Sequence, residues 1–110
     1  MVTTGDSERI CFLMHLEEGT ETEYERRHRE LWPEMLTALE HAGYTNYTLF
    51  RNGDVVVGYA ECRPDAATVA ARMAADPVTD RWNESFVGII QPANPTGNYA
   101  VGLAEVWHIN

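Results

Sequence analysis

Positive charge is scarce in this sequence: its 110 residues include 8 Lys and Arg against 17 Asp and Glu, a formal net charge of −9. So acidic a surface repels phosphate backbones, which argues against nucleic acid as a partner. No apolar run approaches the roughly 18 residues of a membrane helix. The first residues, MVTTGDSE, contain no apolar signal-peptide core. These absences favour a cytoplasmic protein without a membrane partner.

Motifs for metal and cofactor binding are missing as well. The four histidines show neither HExxH spacing nor another pattern of zinc ligands. There is no GxGxxG motif and no phosphate-binding loop. Cys11 and Cys62 form no CxxC pair. We therefore expect reduced thiols that pack as small hydrophobic residues in a reducing compartment.

The remaining composition, 45% hydrophobic and 23% charged residues, is typical of one globular domain that can bury a core. Residues 1–7 are predicted to be a flexible N-terminal tail, and residues 8–110 a single domain. Periodicity and composition predict strands at 9–16, 44–51, 54–62 and 103–109, and helices at 20–42, 66–75 and 78–90. Residues 91–98 have the composition of a loop.

Local signals define several of these boundaries. Thr20 and Glu23 fit a capping box at the start of the first helix, and Gly43 suits its end. Asn52-Gly53 indicates a hairpin turn between the second and third strands.

The resulting order, β-α-β-β-α-β, predicts an α+β fold of the ferredoxin-like type, with an antiparallel sheet and helices on one face. The first and third strands are apolar on both alternations, so the second face of the sheet needs a cover. The economical cover is a second copy of the chain. We therefore predict a homodimer through the sheet face, a dimeric α/β barrel, with a cavity between sheet and helices.

The first predicted helix carries a histidine on its apolar face. Tyr24 and His28 lie one turn apart, within an arc shared with apolar side chains: Leu31, Met35, Leu39 and Ala42. Two interpretations are open. His28 is either a core histidine, hydrogen-bonded to Tyr24 or to a backbone carbonyl, or an acid/base group that faces a cavity.

Aromatic and amide side chains elsewhere suit a hydroxylated ligand. Tyr47 lies on the second strand, and Trp82 precedes Asn83 on the third helix. Aromatic rings stack on the apolar faces of sugars, while phenol and amide groups bond to hydroxyls. The alternative is that these rings only pack in the hydrophobic core.

Together these residues resemble the L-rhamnose mutarotase family. The pattern Y-x-R-R-H-x-x-x-W-P-E is similar to that family's first helix, and it occurs here at Tyr24, Arg26, Arg27, His28, Trp32, Pro33 and Glu34. Shorter matches follow in the family's order: Asn46-Tyr47, Arg81-Trp82, Pro92-Ala93-Asn94-Pro95 and Glu105-Val106. The resemblance extends from about Cys11 to Ile109.

The resemblance implies a dimeric ferredoxin-like fold that interconverts the α and β anomers of L-rhamnose, without metal or cofactor. By position, it makes His28 the catalytic proton donor and Tyr24 and Tyr47 contacts to the sugar. Trp82 and Asn83 would complete the site. The family pattern has two consecutive tryptophans where this chain has Trp82-Asn83, so a related 6-deoxy or pentose sugar is an alternative substrate.

Two other classes of function remain open at this point. A cofactor-free monooxygenase or a haem-handling enzyme could use the same dimeric α/β barrel, with His28 as a base or a haem ligand. A non-catalytic domain would bind a sugar without exchanging its anomers.

Overall fold

The computed structural model describes residues 7–93 and 99–110, and it contains a four-stranded antiparallel sheet with helices on one face. The strands are β1 (Glu8–His15), β2 (Tyr44–Asn52), β3 (Val55–Cys62) and β4 (Val101–Leu103). The helices are α1 (Glu21–Arg29), α2 (Pro33–Ala42), α3 (Ala66–Ala75) and α4 (Pro77–Glu84). The strand order β2-β3-β1-β4 confirms the predicted ferredoxin-like α+β fold.

Some predictions fall outside this description. Residues 1–6 of the predicted tail and residues 94–98 of the predicted loop, which include Asn94 and Pro95 of the family motif, are not among the described residues. In the ranges that are described, no helix is long and apolar enough to cross a membrane.

The sheet is apolar on both faces, as predicted, but only one face is covered by helices. Along β3, Val56 and Ala60 are fully buried beneath the helices, whereas Val55 and Val57 are half-buried on the outer face. Strand register aligns one apolar row across the outer face of all four strands, consisting of Phe50, Val57, Leu13 and Val101. In a single chain this row faces water, and Phe50 is 63% exposed.

The single helix predicted from 20 to 42 is wrong, because the structure has two helices there. α1 ends at Arg29, and α2 begins at Pro33. Proline lacks an N–H and its ring clashes with the preceding turn, so Pro33 can begin a helix but not continue one. Gly43 ends α2 with a left-handed φ of 114°, as predicted.

The predicted capping box at the start of α1 is also wrong. Thr20 makes no side-chain bond to the helix, and its hydroxyl donates to the Glu17 carbonyl at 2.8 Å and lies 3.2 Å from the Ile89 carbonyl. Glu23 accepts hydrogen bonds of 2.6 Å from Arg26 and Arg27. The Glu23 carboxylate is therefore bonded to two guanidinium groups within one helical turn and does not cap the backbone.

The last predicted helix is too long, because α4 ends at Glu84 rather than at Ile90. Gly88 has a φ of 85°, a left-handed conformation that no helix interior contains. The turn brings Ile90 beside Leu16, where the two residues form an isolated bridge. The segment after α4 therefore adds to the core instead of extending the helix.

The last strand is earlier and shorter than the predicted 103–109. β4 covers Val101–Leu103, and Leu103 pairs with Cys11 midway along β1. A strand extended much further in this register would pass Glu8, the first residue of β1, and would have no partner left. Beyond β4, the side chains of Arg9 and Glu105 join β1 to the C-terminal segment through a salt bridge of 2.7 Å.

The core consists of two clusters at opposite ends of the sheet. The first cluster is formed by Met14, Leu16, Tyr24, Val56, Phe86, Ile89 and Ile90. The second cluster is formed by Met35, Ala38, Ala42, Cys62, Val69, Met73 and Val78. Trp82 packs against both clusters. Because Val56 and Cys62 lie near opposite ends of β3, the middle of the sheet is left free for a cavity.

Candidate active site

A cavity of about 700 Å³ lies between the sheet and the helices, lined by members of both core clusters. All five side chains that the sequence proposed as a site line it: Tyr24, His28, Tyr47, Trp82 and Asn83. They belong to α1, β2 and α4, so folding brings together residues that are distant in the chain. Their roles in binding and catalysis remain predictions.

His28 lies on the last turn of α1 with its ring half-buried. Its Nδ1 atom is 3.0 Å from the backbone oxygen of Tyr24. Because a carbonyl oxygen only accepts, Nδ1 must donate, which leaves the lone pair on Nε2 in the neutral ring. The ring is thus hydrogen-bonded as a core histidine would be, and it also lines the cavity. The acid/base role of His28 stays a prediction.

The protonation state of His28 follows from its surroundings. Burial lowers the pKa of His28, and the hydrogen bond to the Tyr24 carbonyl opposes this effect only partly. An imidazole with a pKa below its usual 6.5 is neutral at pH 7. Nε2 is then available to accept a proton.

Aromatic rings surround His28 and restrict its orientation. The ring centroid of His28 lies 4.4 Å from that of Tyr24 and 5.5 Å from those of Trp82 and Phe86. Trp82 is nearly perpendicular to His28, at 85°. Edge-to-face contacts of this kind are favourable and directional, so the imidazole is held before any ligand arrives.

Arg27 lies outside the cavity and supports its wall from behind. Its guanidinium donates to Glu23 at 2.6 Å and to the carbonyl of Ser85. The guanidinium carbon is also 5.5 Å from the centroid of the Phe86 ring. Arg27 therefore connects α1, which carries His28, to the end of α4, which carries Trp82.

The two tyrosines reach the cavity from different elements. Tyr24 is 4% exposed, and burial raises its pKa, so it stays a neutral phenol that can donate a hydrogen bond. Tyr47 is 40% exposed at the open side. Its ring centroid lies 4.9 Å from that of Tyr44 and 6.2 Å from that of Phe12.

The sequence reasoning missed several lining residues. Tyr44, Thr79 and Phe86 all line the cavity. Thr79 lies three residues before Trp82 on α4, and this spacing was a signal that could have identified it. Within the described part of the chain, its buried hydroxyl has no hydrogen-bond partner. Phe86 lies four residues after Trp82 within the helix predicted over 78–90, so the same spacing could have identified it.

The cavity offers a neutral imidazole, phenols, an amide, a hydroxyl and aromatic faces. Such a lining can bind a small polyhydroxylated molecule and move protons within it. Among residues 7–93 and 99–110, no group of three or more His, Cys, Asp or Glu could hold a metal ion.

Comparison with known protein families matches nearly the whole chain. A family model described as L-rhamnose mutarotase matches residues 9–109. The chain is 34% identical over 105 residues to the L-rhamnose mutarotase of Opitutus terrae, covering 93% of this chain and 98% of that protein.

Solved structures show the same fold. The crystal structure of an L-rhamnose mutarotase from Formosa agariphila superposes with a TM-score of 0.79 at 26% identity, covering 94% of this chain and all of that one. Tetracenomycin F2 cyclase from Streptomyces glaucescens has a TM-score of 0.62 at 15% identity, covering 94% of this chain and 99% of that one, a likeness of fold alone.

Proposed function

This chain belongs to the L-rhamnose mutarotase family of anomer-interconverting isomerases, and we propose that the cavity beside His28 is where it exchanges the α and β anomers of L-rhamnose or a closely related sugar. The observation that carries this proposal is the position of His28. Its ring is neutral, oriented by Tyr24 and directed into a cavity lined by groups that suit a sugar.

Anomer exchange requires two proton movements and one reversible bond cleavage. Nε2 of His28 takes the proton of the anomeric hydroxyl, the bond from the anomeric carbon to the ring oxygen breaks, and an aldehyde forms. The imidazolium returns its proton to the ring oxygen, which becomes a hydroxyl. The aldehyde turns about its bond to the next carbon, and the reverse steps close the ring on its other face. His28 thus serves as base and then as donor.

The remaining lining residues hold the sugar in this proposal. Tyr24 and Tyr47 donate hydrogen bonds from neutral phenols, and Trp82 packs against an apolar face of the ring. Asn83, at the mouth, adds an amide oxygen that accepts hydrogen bonds, whereas a second tryptophan would offer only an N–H donor. Asn83 is therefore the residue that we expect to shape the choice among related sugars.

The reaction is tested by NMR saturation transfer between the α and β anomeric protons. We expect catalytic amounts of the protein to accelerate exchange in L-rhamnose beyond the rate in buffer. L-fucose, L-lyxose and D-mannose define the specificity. A protein that binds one of these sugars but accelerates none of them would instead be a sugar-binding domain.

We also propose that two chains form a homodimer through the outer face of the sheet. The support is the apolar row that crosses all four strands there, and a second row beside it that contains Tyr59, Cys11 and Leu103. A twofold axis would place each row against its copy. Burying apolar surface of this kind away from water would stabilise the dimer.

A charge placed in the centre of this face should separate the chains. For the wild type, light scattering after size exclusion should give about twice the chain mass of 12.4 kDa. Val57→Glu should give the mass of one chain, because a carboxylate there would lose its water in the dimer. Thr37→Glu, on the exposed side of α2, is the matched control and should stay dimeric. A dimeric Val57→Glu would contradict this interface.

We further propose a cytoplasmic location, supported by the state of the cysteines. Cys11 lies on the outer face of the sheet and Cys62 beneath the helices, and both are free. Thiols on opposite faces cannot pair, which suits a reducing compartment. Cell fractionation that recovered the protein outside the cytoplasm would contradict this location.

A further inference from the structure

Asn46 has a backbone conformation unlike that of the rest of its strand. Its φ is +50°, and no other non-glycine residue in the described ranges has a positive φ. Asparagine tolerates this left-handed region better than most residues, whereas β-branched residues do so poorly. A conformation that is disfavoured yet retained in a strand calls for a structural reason.

The reason lies in the pairing of β2 with β3. Thr45 pairs with Glu61, but Thr48 pairs with Tyr59, so Asn46 and Tyr47 together lie opposite a single residue. One extra residue in one strand is a β-bulge, and in the G1 type of bulge the first residue is left-handed. Asn46 occupies that position.

The bulge changes which way Tyr47 points. Tyr44 lies over Cys62 on the helix-covered face, so simple alternation would place residue 46 on that face and Tyr47 on the outer face. Instead, the Asn46 side chain lies on the outer face, and Tyr47 lines the cavity. Leu49, which also lines the cavity, resumes the alternation after the bulge.

Contacts on the outer face hold the bulge in place. The Asn46 amide donates to Glu61 Oε1 at 2.9 Å, and the Tyr59 hydroxyl donates to Glu61 Oε2 at 2.7 Å. The Thr48 hydroxyl donates to the Asn46 carbonyl at 3.2 Å. The carboxylate of Glu61 thereby links the bulged strand to its neighbour.

We propose that Asn46 is a positioning residue whose left-handed backbone conformation turns the phenol of Tyr47 into the cavity. This inference rests on the proposed function, since the benefit is a sugar contact by Tyr47. The Asn46 amide is bonded to Glu61, although the residue also borders a pocket that adjoins the cavity. The role we assign to Asn46 is exerted through the backbone that it shares with Tyr47.

The test compares residues that differ in their tolerance of positive φ. Asn46→Gly keeps the conformation and should retain exchange near the wild-type level. Asn46→Val disfavours it and should lower kcat/KM by about 10- to 100-fold, mainly through KM, as a misplaced contact does. Thr45→Val, on the same strand outside the bulge, is the control for β-branching. Should the Val variant not fold, Asn46→Ala serves in its place.

A second readout follows the geometry without activity. Nuclear Overhauser contacts between the rings of Tyr47 and Phe12 should persist in Asn46→Gly and weaken in Asn46→Val. Full activity or an unchanged ring contact in Asn46→Val would overturn the proposal, as would an equal loss of activity in Asn46→Gly. If the wild-type protein exchanges no sugar, the proposed function fails, while the ring contact still decides whether Asn46 positions Tyr47.

Discussion

Replacing His28 by alanine should lower the rate of anomer exchange by about 10²- to 10⁴-fold, the usual contribution of a positioned acid/base group. The variant keeps the cavity but loses the atom that takes and returns the proton. NMR saturation transfer on L-rhamnose measures the effect directly. His41→Ala is the matched control, because His41 is exposed on the last turn of α2 and should leave the rate unchanged.

The pH dependence distinguishes His28 from a residue that only supports the wall. Burial lowers the pKa of His28, so its neutral form predominates at pH 7. The rate should fall as acid protonates Nε2, with a midpoint below the ordinary value of 6.5. This fall of the rate at low pH should be absent from the residual activity of His28→Ala. If His28→Ala retained both the wild-type rate and its fall at low pH, His28 would have no part in the mechanism.

Truncation of Trp82 should weaken both the fold and sugar binding. Its ring lies 4.8 Å from Phe86, 5.1 Å from Trp32 and 5.5 Å from His28, measured between centroids, and it packs against both core clusters. Trp82→Ala should therefore lower the free energy of unfolding by about 3 kcal/mol. The lost stacking surface should raise KM by about tenfold, which corresponds to roughly 1.4 kcal/mol.

Urea denaturation and saturation transfer at several sugar concentrations separate the two effects of Trp82. Trp82→Phe is the control, because it keeps an aromatic face and should recover most of the stability and affinity. If Trp82→Ala lost stability but bound the sugar as the wild type does, Trp82 would only pack in the core. That is the alternative that the sequence left open.

Much of the fold could be predicted because its signals are local. Gly43 and Asn52-Gly53 mark boundaries through backbone preferences that act within a few residues. Some errors have local causes, such as the helix break at Pro33, whereas others occurred where distant partners decide. β4 cannot reach residue 109 because its register would pass Glu8, the first residue of β1, and the chain after α4 turns inward so that Ile90 meets Leu16.

The sequence by itself determined the fold class, the family and the presence of a histidine on an apolar helical face, because periodicity and motif spacing are properties of neighbouring residues. Only the tertiary structure decided that His28 faces a cavity, that Phe86 completes its surroundings and that a bulge turns Tyr47 inward. Strand register and the gap between two core clusters arise from contacts between segments far apart in the chain, and no local pattern encodes them.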